Sequence, residues 1–214
     1  MTKLIIFDLD GTLVDTLDDL QTAVNFALSK YCFPIRTKED IRKAIGNGTI
    51  KLIERSAPAG TDQNTLKELH AIFKNYYLNN IGKNTKPYNG ITSLLFYLKS
   101  RGYKLAVVSN KDHIPTLQII NNMFPCLFDY IQGSYMEHPK KPNPYLINKV
   151  IEEAKTDKSK ITYIGDTNVD EESAVNAGIK YILVSYGYRT KQELYQQVKT
   201  RNIIDSLKEL ENIL

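Results

Sequence analysis

Four short runs constrain this chain more than anything else in it: Leu4–Phe7, Lys104–Val108, Ile161–Ile164 and Tyr181–Val184. None alternates apolar with polar residues, as a strand with one wet face would. Unbroken apolar runs are what strands covered on both faces require. Helical patterns alternate with them. Ile91, Leu94, Leu95 and Leu98 fall at i, i+3, i+4 and i+7, one face of a helix. Tyr145–Ala154 predicts a second helix, and Glu171–Ala177 a third that Gly178 closes as a C-cap. Ser206 is placed to cap a last helix that buries Leu207, Leu210 and Leu214. Strand–helix alternation of this kind predicts an α/β fold, a Rossmann-like parallel sheet with right-handed crossovers.

The interval from Thr16 to Lys86 breaks that rhythm. It holds helical patterns (Leu17, Leu20, Val24, Leu28, then Leu69, Ile72, Phe73, Tyr76) and no convincing strand. About 70 residues of helix are far more than one crossover needs. Residues 16–83 are therefore expected to form an inserted all-helical cap, with the α/β core in residues 1–15 and 84–214. Hinges are expected near Asp15 and within Asn84–Gly90.

Composition narrows the function classes. With 42% hydrophobic and 24% charged residues the chain is ordinary globular protein, which argues against disorder. The net charge of +4 is spread thinly, without an aromatic-interleaved basic stripe, so no nucleic-acid partner is expected. Cys32 and Cys126 make neither a disulfide framework nor a metal spacing, and are expected as small buried hydrophobes. No stretch approaches the roughly 20 apolar residues of a membrane span, and Leu4–Phe7 is too short for a signal sequence. The expectation is a cytoplasmic protein with no membrane partner, monomeric or homodimeric.

Chemistry-bearing residues gather at the ends of the predicted strands. Asp8 and Asp10 follow the first, with Leu9 between them and Gly11 after. In extended backbone the two carboxylates share a side, and at a parallel strand's carboxyl end that side faces the ligand crevice. A hairpin turned at Asp10–Gly11 is the competing structural reading. A calcium loop fits worse, because its glycine and its final glutamate are missing from the required positions. Ser109 ends the second run in "VVSNKD", where it reads either as a helix N-cap paired with Asp112 or as part of an anion site with Asn110. In "KKPNP", Lys140 reads as a solvated charge. Lys141, stiffened by Pro142 and Pro144, could fix a phosphate as a point charge. Asp166 ends the third run, and Asp170 opens the helix after it. Glu171 and Glu172 read as acidic residues favoured by the helix dipole. His70, His113 and His138 have no informative spacing, and His113 is expected at the surface.

Together and in order, "DxDGT", a strand-ending serine, "KPxP" and "GDxxxD" resemble the four motifs of the haloacid dehalogenase superfamily of phosphohydrolases. The helical insertion resembles that superfamily's small cap. The resemblance implies Asp8 as nucleophile, forming an aspartyl-phosphate, and Asp10 as the acid–base that serves the leaving group and then the water. It implies Mg2+ held by Asp8, the Asp10 backbone carbonyl, Asp166 and Asp170. Phosphate would be held by Ser109, Lys141 and backbone N–H groups near Gly11 and Asn110. Charge supports a metal independently: four aspartates would repel one another and a phosphate dianion alike. Asp10 argues against the dehalogenating and phosphonate-cleaving relatives, which lack it.

The expected substrate is a small-molecule phosphate ester chosen by the cap. "AIGNGTIKLIERS", "PYNGI" and "SYGYR" resemble loops of bacterial phosphoglycolate phosphatases. Gly46, Asn47 and Gly48 are the expected cap contacts, and Lys51 and Arg55 are candidates that read equally well as a solvated helix face. Two alternatives stand beside this reading. One is a β-phosphoglucomutase-like phosphomutase, disfavoured because Thr49 occupies the place of the mutases' cap arginine. The other is a non-enzymatic binding protein of phosphate metabolites, disfavoured by the intact aspartates and Lys141.

Overall fold

The computed structural model describes residues 3–200 and 202–213. They gather into two compact units, one of Met1–Asp15 with Pro87–Leu214 and the other of Thr16–Lys86. Short strands mark the two chain crossings, β2 (Val14–Asp15) and β3 (Lys86–Pro87).

The first unit is a parallel α/β sheet. Its strands are β1 (Leu4–Phe7), β4 (Lys104–Asp112), β5 (Tyr130–Ser134), β6 (Ile161–Gly165), β7 (Lys180–Val184) and β8 (Ile203–Ile204). They lie in the order β5-β4-β1-β6-β7-β8, and every pairing is parallel. The chain leaves central β1 toward β4 and β5, then returns to the other side of β1 with β6. That reversal is the topological switch point, where open α/β sheets bind ligands beyond their carboxyl ends. Asp8 and Asp166 sit there, each just past a strand's end, and Ser109 lies within the last residues of β4.

The sheet is buried on both faces, as the unbroken apolar runs require. Leu4, Ile6, Ala106, Val108, Ile161 and Tyr163 share a core with Leu146, Ile147 and Val150 of α7 (Tyr145–Ala154) and Ala174 and Ala177 of α8 (Asn168–Ala177). The predicted stripe Ile91, Leu94, Leu95 and Leu98 of α5 (Ile91–Ser100) is fully buried. Gly178 ends α8 with φ of 69°, the left-handed C-cap its position predicted. The remaining helices of this unit are α6 (His113–Met123), α9 (Lys191–Gln197) and α10 (Leu207–Ile213). In α10, Leu210 is buried and Leu207 half-buried, whereas Leu214 lies outside the described residues.

Several expectations are corrected. The second strand runs to Asp112, so Ser109 is a strand residue and not a helix cap; α6 starts only at His113. Strands β5 and β8 add to the four expected ones. Cys32 and Cys126 are exposed, with φ of 52° and 62°: both occupy left-handed turns, which pull them away from the core. Glu171 is buried rather than solvated. Its carboxylate accepts from the Lys199 and Thr200 N–H groups and the Tyr181 hydroxyl, fastening the 199–200 segment. His113 is half-buried, its Nδ1 accepting from the Gly133 N–H.

The second unit is helical: α1 (Leu17–Ser29), α2 (Lys38–Ala44), α3 (Thr49–Ser56) and α4 (Gln63–Leu78). Helix α1 packs on α4, burying Leu17, Leu20, Val24 and Leu28 from one and Leu69 and Phe73 from the other. Ile72 and Tyr76 are only half-buried. Thr37 and Asp40 form a reciprocal capping box at the start of α2. Buried Asp19 accepts from the backbone N–H and side chain of both Asn84 and Thr85, which fixes the segment after α4.

Candidate active site

The loop after β1 carries the first two aspartates. The Leu9 carbonyl accepts from the N–H groups of Thr12, Leu13 and Val14, closing a tight turn, while the Leu9 side chain is fully buried. This anchors the loop and leaves the carboxylates on either side of Leu9 facing the crevice. The Asp8 N–H donates to the Ile164 carbonyl at 2.8 Å, so the loop continues the β1–β6 pairing by one residue. The pair is therefore no hairpin turn: β1 is flanked by parallel partners.

Three carboxylates converge. Asp8, Asp166 and Asp170 each offer an oxygen within 4.8 Å of the others. Lys141 reaches among them, with Nζ 3.0 Å from Asp8 Oδ1 and 2.7 Å from Asp170 Oδ1. It also donates to the Tyr163 hydroxyl at 2.8 Å. Burial pushes the Asp8 carboxyl up to about 7; Lys141 opposes the shift and Asp170 adds to it. Asp166 is held well above the carboxylate range by burial, then by the charges of Asp170 and Asp8. Burial alone would lower Lys141, but Asp170 and Asp8 outweigh it and hold the ammonium well above its ordinary value.

Asp170 is saturated by the protein. Its Oδ1 accepts from Lys141 and Tyr163, and its Oδ2 from the N–H groups of Asp166 and Thr167 and the Thr167 hydroxyl. It thereby sets the positions of Lys141 and of the Asp166 backbone. Asp166 Oδ2 accepts from the Tyr188 N–H at 2.8 Å, and Oδ1 receives a longer contact from the Thr12 hydroxyl at 3.4 Å.

Glycines make the convergence possible. A Cβ on Gly11, where φ is 86°, would stand 2.3 Å from Asp166 Oδ2. One on Gly165 would meet the Asp170 carboxyl carbon at 2.4 Å, and one on Gly187 the Gly11 carbonyl at 2.0 Å. Gly11 thus makes room for Asp166, beside its expected role toward phosphate. Asn110 clamps the lysine loop: its Oδ1 accepts from the Lys141 N–H and its Nδ2 donates to the Lys141 carbonyl. Ser109 is buried in β4, its Oγ accepting from the Lys111 N–H.

Asp10 stands apart from the three-carboxylate cluster. Both its oxygens lie 3.0 Å from Lys111 Nζ, a pairing that the sequence reading missed. Asp10 was expected to reach metal through its backbone carbonyl, and the placement of its carboxylate is independent of that. Tyr163 and Thr167 carried no expected role, whereas Gly165 stands in "GDxxxD" and Gly187 and Tyr188 in "SYGYR", there without a role at the site.

The cap candidates all lie in the second unit. Gly46 and Gly48 take φ of 124° and 85°, conformations that favour glycine. Arg55 donates to the Ala44 carbonyl and to Asn47 Oδ1, bracing that loop, and Lys51 pairs with Glu54 at 2.6 Å. Thr49 Oγ1 lies 2.9 Å from His70 Nε2.

The donor set fits a hard divalent cation. It offers only oxygens, and one lysine does not balance three buried carboxylates. A stability prediction follows from the same charges. Because Asp8 titrates at about 7 in the fold against 3.8 ordinarily, the folded state binds the proton more tightly. Its contribution is complete below the lower value and is lost as pH rises through the upper one. Asp166 shifts in the same direction. The Tm of metal-free protein is expected to fall between about pH 5 and about pH 8, and added Mg2+ to raise it more at the higher pH. Thermal melts with and without EDTA check this; a Tm shift that is independent of pH would count against it.

The profile of the haloacid dehalogenase-like hydrolase family matches residues 5–184. The chain belongs to this family. Two family relatives are phosphoglycolate phosphatases by name. That of Aquifex aeolicus is 34% identical over 187 residues, 87% of this chain and 86% of the relative. That of Caulobacter vibrioides is 34% identical over 188 residues, covering 86% and 79%. A crystal structure from Lactobacillus delbrueckii subsp. bulgaricus, provisionally named a phosphoglycolate phosphatase, superposes with a TM-score of 0.93 at 29% identity over 100% of this chain and 98% of that one. The six-stranded parallel sheet is thus the haloacid dehalogenase-like core.

Proposed function

We propose that this chain is a Mg2+-dependent phosphatase that hydrolyses a small-molecule phosphate monoester by way of a phosphoryl group carried on Asp8, with phosphoglycolate as its substrate. The chain is an enzyme of the phosphatase kind, as its family and its relatives indicate. The observation that carries the finer reading is the ammonium of Lys141 lodged between Asp8 and Asp170, beside Asp166, at the switch point of the sheet.

In this reading an Asp8 oxygen forms a bond to phosphorus as the ester P–O bond breaks, and the departing oxygen takes a proton from Asp10. Water then attacks the same phosphorus, its proton passes to Asp10, and the bond to Asp8 breaks. Lys141 faces the charge that gathers on the phosphoryl oxygens. Asp8, Asp166 and Asp170 would hold the Mg2+, Asp170 at one remove through its grip on Lys141 and the Asp166 backbone. Bound there, Mg2+ would offset the carboxylates and polarise the phosphoryl group. Ser109, Gly11 and Asn110 support phosphate, Asn110 chiefly by fixing Lys141.

The loop Gly46–Gly48 is the proposed selector of the ester, because its glycines permit close backbone approach. Arg55 and Lys51 already have partners inside their own unit: Arg55 braces that loop through Asn47, and Lys51 pairs with Glu54 along α3. The phosphoglycolate assignment rests on the names of the relatives and on the shared cap loops. No chemistry in the reaction needs a membrane, and among the described residues no helix is long and apolar enough to cross one.

The purified protein is expected to release phosphate from an aryl phosphate with Mg2+ and to lose this activity in EDTA. Across a panel of metabolite phosphates, phosphoglycolate is expected to show the highest kcat/KM. Isomerisation of a sugar phosphate without net phosphate release would overturn the hydrolytic reading. A different leading ester would overturn only the substrate assignment.

A further inference from the structure

We propose that Lys111 receives a carboxylate on the leaving group, so that the site is built for phosphate esters of small hydroxy acids. This deepens the phosphatase reading above and rests on it. Lys111 lies near the end of β4, and its side chain is 5% exposed. Its Nζ is 3.0 Å from each oxygen of Asp10, the residue that must touch the departing ester oxygen.

Two facts of geometry then place the leaving group. Proton delivery requires the ester oxygen within about 3 Å of an Asp10 oxygen, so that oxygen comes within roughly 6 Å of Lys111 Nζ. In an ester of a 2-hydroxy acid, a carboxylate follows the ester oxygen after a single carbon. Turned toward Lys111, that carboxylate comes within hydrogen-bond reach of the same ammonium.

The two lysines of the site divide the work by position. Lys141 is committed to Asp8 and Asp170, on the phosphoryl side. Lys111 is committed to Asp10, on the leaving-group side. A lysine ammonium has three donors and can bridge two carboxylates at once, as Lys141 already does here. An uncharged alcohol offers Lys111 nothing comparable. A buried ammonium at this spot selects anionic leaving groups over neutral ones of equal size.

The test compares phosphoglycolate with its primary amide, which has the same shape and no charge. The wild-type enzyme is expected to favour the acid by about tenfold or more in kcat/KM. Lys111→Met should bring that ratio close to unity, chiefly through KM of the acid, and Lys111→Arg should restore much of it. Any loss from a loosened Asp10 falls on both esters and cancels in the ratio. An unchanged ratio in Lys111→Met would overturn the proposal and leave Lys111 as a positioning residue for Asp10. Should that variant not fold, the wild-type ratio decides alone: equal or better turnover of the amide overturns the proposal. Release of phosphate from neither ester would remove the phosphatase reading, and the proposal with it, which is a distinguishable result.

Discussion

Asp8→Asn is expected to reduce phosphate release by about 10,000-fold or more while leaving the metal-free protein at least as stable as the wild type. The two halves have one cause. An amide of the same shape keeps an acceptor for the Leu9 N–H, which donates to Asp8 Oδ1 at 2.7 Å. It cannot, however, form the covalent bond to phosphorus. Burial has also pushed the Asp8 carboxyl up to about 7, so the charged form is disfavoured in the fold. Removing that charge relieves repulsion from Asp170, at the loss of one contact to Lys141, which keeps Asp170. In a protein of this size each kcal/mol so relieved raises Tm by about 2–4 °C. Paired measurements of turnover and of melting in EDTA near pH 8 check it. Substantial activity in the variant would remove Asp8 from the nucleophile's role. A Tm well below the wild-type value would show that Asp8 holds the fold rather than straining it.

Lys141→Met should have the opposite signature in stability. Lys141 is the cation between two buried carboxylates, at 3.0 Å and 2.7 Å. Truncating one partner of a buried pair leaves an uncompensated charge, which costs about 3–5 kcal/mol. A loss of roughly 10 °C in Tm is expected in EDTA. Added Mg2+ should recover part of it, because the carboxylates then have another counter-charge. Activity should fall by about 1,000-fold even in saturating Mg2+, since the developing charge on the phosphoryl oxygens loses a fixed donor. A variant that melts with the wild type in EDTA would mean that Lys141 does not offset carboxylate charge in the metal-free fold. The contrast with Asp8→Asn is informative: one substitution removes a surplus charge, the other removes what offsets it.

How much of this was legible in the sequence depends on how local each feature is. The runs that became β1, β4, β6 and β7 were visible because strands buried on both faces must be continuously apolar. Strand β5 escaped notice because Gln132, Gly133 and Ser134 interrupt the pattern. Its reason is tertiary: a Cβ at Gly133 would lie 2.6 Å from the His113 Cα, so the polar, small residues reflect close packing against α6. Ser109 looked like a helix cap because it precedes a polar stretch, yet that stretch continues the buried strand to Asp112.

The aspartates at strand ends and Lys141 could be named from motif order, but their charges could not be apportioned. Lys111 in "SNKD" resembles any solvated lysine until the fold brings it to Asp10, about a hundred positions away in sequence. The same holds for Gly187, whose missing side chain matters only because Gly11 and Asp166 approach it from elsewhere in the chain. Glu171 shows the reverse error. A helix-dipole role suited its sequence position, but its burial and three donors give it a structural one. Local rules found the strands and the acids; only the packed sheet could say which cation serves which acid.

The central claim, two successive displacements at phosphorus with Asp8 as the intermediate carrier, is tested most directly by stereochemistry. An ester whose phosphoryl group is made chiral with oxygen isotopes should transfer it to an acceptor alcohol with net retention, because two in-line displacements invert twice. Net inversion would show a single direct attack by the acceptor and contradict the account.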